Sequence, residues 1–128
     1  MHLSATFHIF AMFENKRYRT VVFYKHYFSD FFDQQSRKVR EKIVWSLDLI
    51  EEHERIPNIY LKKLEGIPGL YEIKVRHGVY QVRVFCFFRN DHLVVLTNGF
   101  YKNSQKTPKE EIERALKIKH EYEIEQSK

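Results

Sequence analysis

The stretch Leu70-Tyr71-Glu72-Ile73-Lys74-Val75-Arg76-His77-Gly78-Val79-Tyr80-Gln81-Val82-Arg83-Val84-Phe85-Cys86 decides the fold. Apolar and polar residues alternate on both sides of His77-Gly78, the pattern of two half-buried strands joined by a tight turn with glycine in its second position. That turn sets Arg76 opposite Val79, Val75 opposite Tyr80, Lys74 opposite Gln81, Ile73 opposite Val82 and Glu72 opposite Arg83. Successive side chains point to opposite faces, so Tyr71, Ile73, Val75, Tyr80, Val82, Val84 and Cys86 share the core face. The other face carries Glu72, Lys74, Arg76, Gln81 and Arg83. A third run, Leu93 to Phe100, follows an Asn90-Asp91 turn and sets Arg83 opposite Asn98, Phe85 opposite Leu96 and Phe87 opposite Val94. The second face then divides into a cationic patch and an apolar patch, the latter open to the C-terminal helix or to a partner's helix docking in the groove.

Upstream, Arg19 to Lys25 holds the β-branched and aromatic run Thr20-Val21-Val22-Phe23-Tyr24 and reads as a strand. Tyr27 to Gln35 places Phe28, Phe31 and Phe32 on one helical face. Ser36 is an N-cap for a second helix, Arg37 to about Arg55, whose Val39, Ile43, Leu47 and Ile50 form one stripe and which Pro57 stops. Trp45 is expected in the core. Residues 56–69, with two Pro and two Gly, read as a loop carrying Lys62 and Lys63. Downstream, Thr107-Pro108-Lys109-Glu110 reads as a capping box with a first-turn proline, opening a helix striped by Ile112, Ala115, Leu116 and Tyr122. The expectation is an α+β fold: an N-terminal strand, an αα-hairpin packed on one sheet face, a three-stranded antiparallel meander and a C-terminal helix. Residues 19–128 make one domain and residues 1–18 an N-terminal extension. Within the extension Met12, followed by charged residues and then a strand-like run, is a second candidate start beside Met1.

Composition limits the function classes. The chain has 128 residues, 43% of them hydrophobic and 16% aromatic, enough for one core and too short for two. One cysteine, Cys86, forms no internal disulfide and no Cys-His zinc spacing. No run of ~20 apolar residues spans a bilayer, and four glycines in no G-x-G-x-x-G or Walker order leave no nucleotide cradle of those types. No cofactor or metal is expected, and the location expected is cytoplasmic.

The formal charge of +5 comes from one segment. Residues 60–107 hold Lys62, Lys63, Lys74, Arg76, Arg83, Arg89, Lys102 and Lys106 against Glu65, Glu72 and Asp91, whereas the flanking segments are nearly balanced. Three of these cations share the open sheet face with one carboxylate. Like charges side by side on a sheet repel unless an anion joins them, so the patch reads as an anion site and the excess points to a nucleic acid.

The order strand, αα-hairpin, meander, together with Lys63-Leu64, Leu70-Tyr71-Glu72-Ile73-Lys74-Val75, the Arg83 strand, Gly99-Phe100-Tyr101-Lys102-Asn103-Ser104-Gln105-Lys106-Thr107-Pro108 and Glu111-Ile112-Glu113-Arg114-Ala115, resembles the RelE/ParE superfamily of type II toxins, and within it the phage-derived HigB-like branch. The resemblance covers Arg19 to Tyr122; that branch usually reads Lys-Lys where this chain has Lys102-Asn103. It implies an endoribonuclease, an mRNA interferase that cleaves mRNA on the translating ribosome without a metal and arrests translation. It also implies a partner, a helix-turn-helix antitoxin that forms a hetero-oligomer with the toxin, and no membrane.

Such cleavage needs the 2′-OH deprotonated, the phosphoryl oxygens stabilised and a proton for the leaving 5′-oxygen. Arg76 and Arg83 are assigned to the scissile phosphate, Lys74 as helper, Lys102 or Lys63 as the proton-transfer group, and Tyr101 to stacking on a base or orienting the 2′-OH. Glu72 orients Arg83. His77 and His92 are turn residues, and Cys86 is a buried small hydrophobe. Two other classes remain open: a ParE-like DNA gyrase poison, and a nucleic-acid-binding module without catalysis.

Overall fold

The computed structural model describes residues 17–103 and 108–128. The Met12 start, Lys106 and the Thr107 cap lie outside the described residues. Five strands and three helices follow in the order β1 (Thr20–Phe23), α1 (Tyr27–Asp33), α2 (Arg37–Glu52), β2 (Leu61–Lys63), β3 (Tyr71–His77), β4 (Tyr80–Arg89), β5 (Leu93–Tyr101) and α3 (Lys109–Gln126). They build one mixed sheet in the order β1-β5-β4-β3-β2, with β1 parallel to β5 and every other pair antiparallel. The fold is α+β, but its sheet has five strands where an N-terminal strand and a three-stranded meander were expected. The difference is β2, two lysines and a leucine inside the segment read as a loop. Three residues are too short to show alternation, and β2 exists because the edge of β3 pairs it: Leu61 faces Ile73, Lys62 faces Glu72 and Lys63 faces Tyr71.

The αα-hairpin follows its apolar spacing. Ser36 caps α2 by accepting the Val39 amide at 3.3 Å, and Val39, Ile43, Leu47 and Ile50 are buried against the sheet. The helix stops at Glu52, five residues before Pro57. Arg17 and Tyr18, placed by the sequence in the extension, are tied to the end of α2: Arg17 pairs with Glu51, and the Tyr18 amide donates to the Glu51 carbonyl at 2.8 Å.

The register of the hairpin differs from the expectation by one turn position. Gly78 and Val79 form the turn, with Gly78 at φ +59° in its first central place, where type II′ turns put glycine. His77 therefore faces Tyr80, Arg76 faces Gln81, Lys74 faces Arg83 and Glu72 faces Phe85. Each partner moves by two residues along β4, which preserves the alternation. Ile73, Val75, Val82, Val84 and Cys86 are all buried on the face expected, while Tyr80 at the strand end is exposed.

A bulge changes the other half of the sheet. Val84 faces Gly99 but Cys86 faces Leu96, so Thr97 and Asn98 together oppose Phe85. Beyond the bulge β5 turns its residues over: Val94 and Leu96 enter the core beneath α1 and α2, and Val95 joins Phe87 on the other side. The apolar patch expected from Phe85, Phe87, Val94 and Leu96 is therefore no open docking surface. Phe85 and Phe87 lie under α3, which packs Ala115, Ile118 and Tyr122 onto Phe85, Phe100, Leu70, Phe87 and Val95. Helices cover both sheet faces, not one. The bulge also holds α3 in place, since Asn98 Nδ2 donates to the Glu111 carbonyl at 3.1 Å and to Glu111 Oε1 at 2.9 Å. Pro108 stands at the N-cap with Lys109 as the first helical residue, one later than the capping-box reading. Leu116, expected in the stripe, is exposed, and Ile118, outside the expected stripe, is buried beside Val95.

Gly99 lets α1 approach the sheet. A Cβ at this position would stand 2.6 Å from the Phe31 ring, itself packed between Phe28 and Tyr101. The Gly99→Ala variant is expected to lose about 1–3 kcal/mol through overpacking, seen as a thermal midpoint lower by several degrees; an unchanged midpoint would show that α1 shifts without cost.

Candidate functional site: a cationic pocket beside the last helix

The second sheet face carries its charges as a ladder across three strands. Lys62 on β2 stands opposite Glu72 on β3, Lys74 opposite Arg83 on β4, and Arg76 opposite Gln81. The ladder ends at Lys102, whose amide donates to the Gln81 carbonyl at 2.8 Å just beyond β5. A pocket of about 270 Å³ gathers Lys62, Lys63, Lys74 and Lys102 around Glu65 and Glu72, with Leu64, Ile67 and Ile112 as its apolar wall. Four cations and two carboxylates in one concavity make a net positive site.

Arg83 is at the back of this arrangement, not in its opening. It is 3% exposed, and its Nε lies 3.0 Å from Glu72 Oε1, which is itself 4% exposed. That contact is Coulombic and not an aligned hydrogen bond. Nη2 donates to Gln81 Oε1 at 3.0 Å and Nη1 to the Val82 carbonyl at 3.2 Å. Burial pulls its basicity down, with Glu72 opposing and Arg76 adding to the fall. The guanidinium thus fixes the Glu72 carboxylate on the pocket wall, the orienting relation expected between them in the reverse direction.

Lys74 is the perturbed group in the opening. Burial lowers its pKa below the ordinary lysine value, Glu72 pushes back, and the charges of Lys62, Arg83 and Arg76 lower it further. An ammonium among like charges releases its proton more readily and gains most from an arriving anion.

The residues singled out in the sequence divide between two places. Lys63, Lys74 and Lys102 meet in the pocket. Arg76 is exposed on the same face one step along β3, outside the pocket lining. Tyr101 lies on the opposite face: it pairs with Val82, rests near Phe31 and Tyr80, and donates its hydroxyl to Gln35 Oε1. Lys62 and Glu65 line the pocket without having been assigned a role; recognising β2 would have placed Lys62 beside Glu72 by alternation. Trp45, expected in the core, is exposed on α2 with the Lys42 amine 3.8 Å above its ring and Tyr60 beside it. Cys86 is fully buried, which pushes its thiol pKa up and keeps it inert. His92 is exposed in its turn, with Nδ1 2.7 Å from the Asn90 carbonyl oxygen. Among the described residues no three His, Cys, Asp or Glu side chains converge as a metal site, and no helix is long and apolar enough to cross a membrane.

A family model for phage derived protein Gp49-like (DUF891) matches residues 30–120, well over half of the chain. The chain belongs to the Gp49-like family. Gp49-like proteins are a phage-derived, toxin-like family within the RelE/toxin-like group. Comparison with curated proteins found no match. The Gp49-like region runs from Asp30 in α1 to His120 in α3, and so contains β2 to β5 and every residue lining the cationic pocket. β1, the parallel edge strand, precedes it.

Proposed function

We propose that this Gp49-like protein is the toxin of a type II toxin-antitoxin system, of HigB-like type, and that it cleaves mRNA on the translating ribosome through attack by the 2′-OH. The observation that carries the reading is the convergence of Lys62, Lys63, Lys74 and Lys102 in one pocket on a face otherwise closed by α3. RNA offers what that pocket lacks, a phosphate among lysines and a 2′-OH beside it. Lys74, with its lowered pKa, takes the 2′-OH proton from its neutral form. The 2′-oxygen then bonds to phosphorus as the 5′-oxygen bond breaks. Lys62 and Lys63 hold the charge on the phosphoryl oxygens, and the Lys102 ammonium protonates the leaving oxygen. The products are a 2′,3′-cyclic phosphate and a 5′-hydroxyl. Arg83 acts through Glu72 as a positioning residue, and Arg76 meets the next phosphate along the strand.

Induced expression with mapping of mRNA 5′ ends separates the readings. Cuts within translated codons support the proposal. DNA-damage signalling without such cuts identifies a gyrase poison, and salt-sensitive RNA binding with no cuts identifies a binding module.

The lowered pKa of Lys74 predicts a pH dependence. An anion favours the charged amine, so binding of a short RNA is complete below the folded-state pKa of Lys74 and weakens as pH rises through it, before the ordinary lysine value of about 10.4. For stability the sign is opposite: the unfolded chain holds the proton in that window, so the penalty at Lys74 eases as pH rises. Titrating RNA affinity against pH should show the early midpoint in the native chain and not in Lys74→Arg; the same midpoint in both would remove Lys74 from the phosphate site.

A further inference from the structure

The structure assigns Tyr80 as a platform on which a base of single-stranded RNA stacks, beside the nucleotide held in the lysine pocket. The inference rests on the RNA reading above and deepens it. At the turn end of the β3–β4 hairpin, Arg76 faces Gln81 on the cationic side of the sheet, and His77 faces Tyr80 on the side of α1 and α2. Tyr101 shares that second side with Tyr80, and Lys102 follows it, its amide bonded to the Gln81 carbonyl at 2.8 Å. The end of the sheet is thus a rim, with Arg76, Gln81 and Lys102 along one lip and His77, Tyr80 and Tyr101 along the other. One residue step along a strand, about 3.4 Å, separates the lips. Lys102 also lines the lysine pocket, so rim and pocket share a residue.

Tyr80 is 54% exposed and belongs to none of the core clusters. Its ring meets that of Tyr101 in a T-shaped contact, centroids 6.1 Å apart. An edge contact covers at most one face of Tyr80 and leaves the other to a ligand. Tyr101 is held from behind by the turn between α1 and α2: its hydroxyl donates to Gln35 Oε1, and Gln35 Nε2 donates to the Phe31 carbonyl at 2.9 Å. The exposed tyrosine therefore stands against a fixed wall.

Charge selects the ligand. None of the six rim residues is acidic, and among the described residues Arg76 and Lys102 form no ion pair. Arg40 adds a cation behind the aromatic lip, where its Nη1 donates to the carbonyl of the same Gln35 at 2.9 Å. An open aromatic face between unpaired cations matches single-stranded nucleic acid, with a base on the ring and phosphates on the cations. A protein segment could cover the ring, but it would have to bring its own carboxylates. A strand that leaves the lysine pocket past Lys102 and Arg76 meets Tyr80 next. Nothing in the cleavage step uses Tyr80, so the platform sets how the nucleotide beside the cut is held.

The test uses 2′-O-methyl oligonucleotides of about six nucleotides, which bind without being cut, with the base deleted at one position at a time and binding followed by fluorescence anisotropy at fixed salt. Deleting one particular base is expected to weaken binding to the native chain by about tenfold. In Tyr80→Ala the intact oligonucleotide binds more weakly by the same factor, and deleting that base has no further effect. Tyr80→Phe, which keeps the ring, binds as the native chain does. Thermal melting checks that each variant folds. A Tyr80→Ala chain that binds the intact oligonucleotide as tightly as the native one overturns the platform; if the substitution weakens a protein partner instead, the rim belongs to that partner. An equal loss for intact and base-deleted oligonucleotides also overturns it, since Tyr80 would then only support the hairpin. The two readings fail separately. A Tyr80-dependent base contact in a chain that leaves translated mRNA uncut keeps the platform and overturns cleavage, whereas cut mRNA with a base scan indifferent to Tyr80 does the reverse.

Discussion

Replacing Arg83 by alanine is expected to lower unfolding free energy by about 3 kcal/mol, toward the low end for breaking a buried ion pair because Lys74 remains near Glu72. The argument is one of burial: the Arg83 and Glu72 side chains are 4% and 5% exposed, with their charges 3.0 Å apart. Truncating the arginine strands a desolvated carboxylate against an apolar sheet and deletes the bonds to Gln81 and Val82. Loss of toxicity in Arg83→Ala therefore reports folding as much as chemistry. The paired change Glu72→Leu with Arg83→Leu removes both charges at once and should recover most of the stability. Denaturant unfolding of the two variants measures this directly; an Arg83→Ala chain as stable as the native one would mean that the pair is solvated and contributes nothing.

Lys74→Ala combined with Lys102→Ala has the larger expected effect on function. Loss of a positioned general acid or base typically costs about 10²–10⁴-fold, and the double change removes the proposed proton acceptor and the proposed proton donor together. Stability should hardly fall, since neither amine is in a buried pair and relief of repulsion around Lys74 works in the opposite direction. Growth arrest and cleavage should disappear from a chain that melts at or above the native temperature. Arg76→Ala is expected to weaken RNA binding and its salt dependence while leaving the cleavage step intact, because Arg76 stands outside the pocket lining.

The sequence carried the local elements well where their periods were long. The αα-hairpin, with its Ser36 cap and its Val39-Ile43-Leu47-Ile50 stripe, and the core face of the β3–β4 hairpin were readable from spacing alone. The hairpin face survived a misplaced turn because a shift of two residues keeps side-chain parity, although it moved Arg83 from Glu72 to Lys74 as its cross-strand partner. What was not readable depended on tertiary pairing. β2 has no alternation of its own, and the Thr97-Asn98 bulge looks like ordinary strand until α3 supplies Glu111 for Asn98. That bulge sent Val94 and Leu96 to the helix side and closed the apolar patch under α3. For the site, Lys74 could be picked by charge and strand position, and Lys63 and Lys102 by charge together with the resemblance to the RelE/ParE superfamily. The burial of Arg83 and the separation of Tyr101 could not, because each depends on which neighbour, Glu72 or Gln35, the fold brings close.

The proposed reaction is cleavage of RNA by 2′-OH attack in the lysine pocket. The measurement that tests it most directly is end analysis of mRNA incubated with translating ribosomes, purified protein and a chelator. Fragments ending in 2′,3′-cyclic phosphate and 5′-hydroxyl groups are expected from the native chain and none from Lys74→Ala with Lys102→Ala. Fragments of the same kind and yield from that variant, or no fragments from the folded native chain, would contradict it.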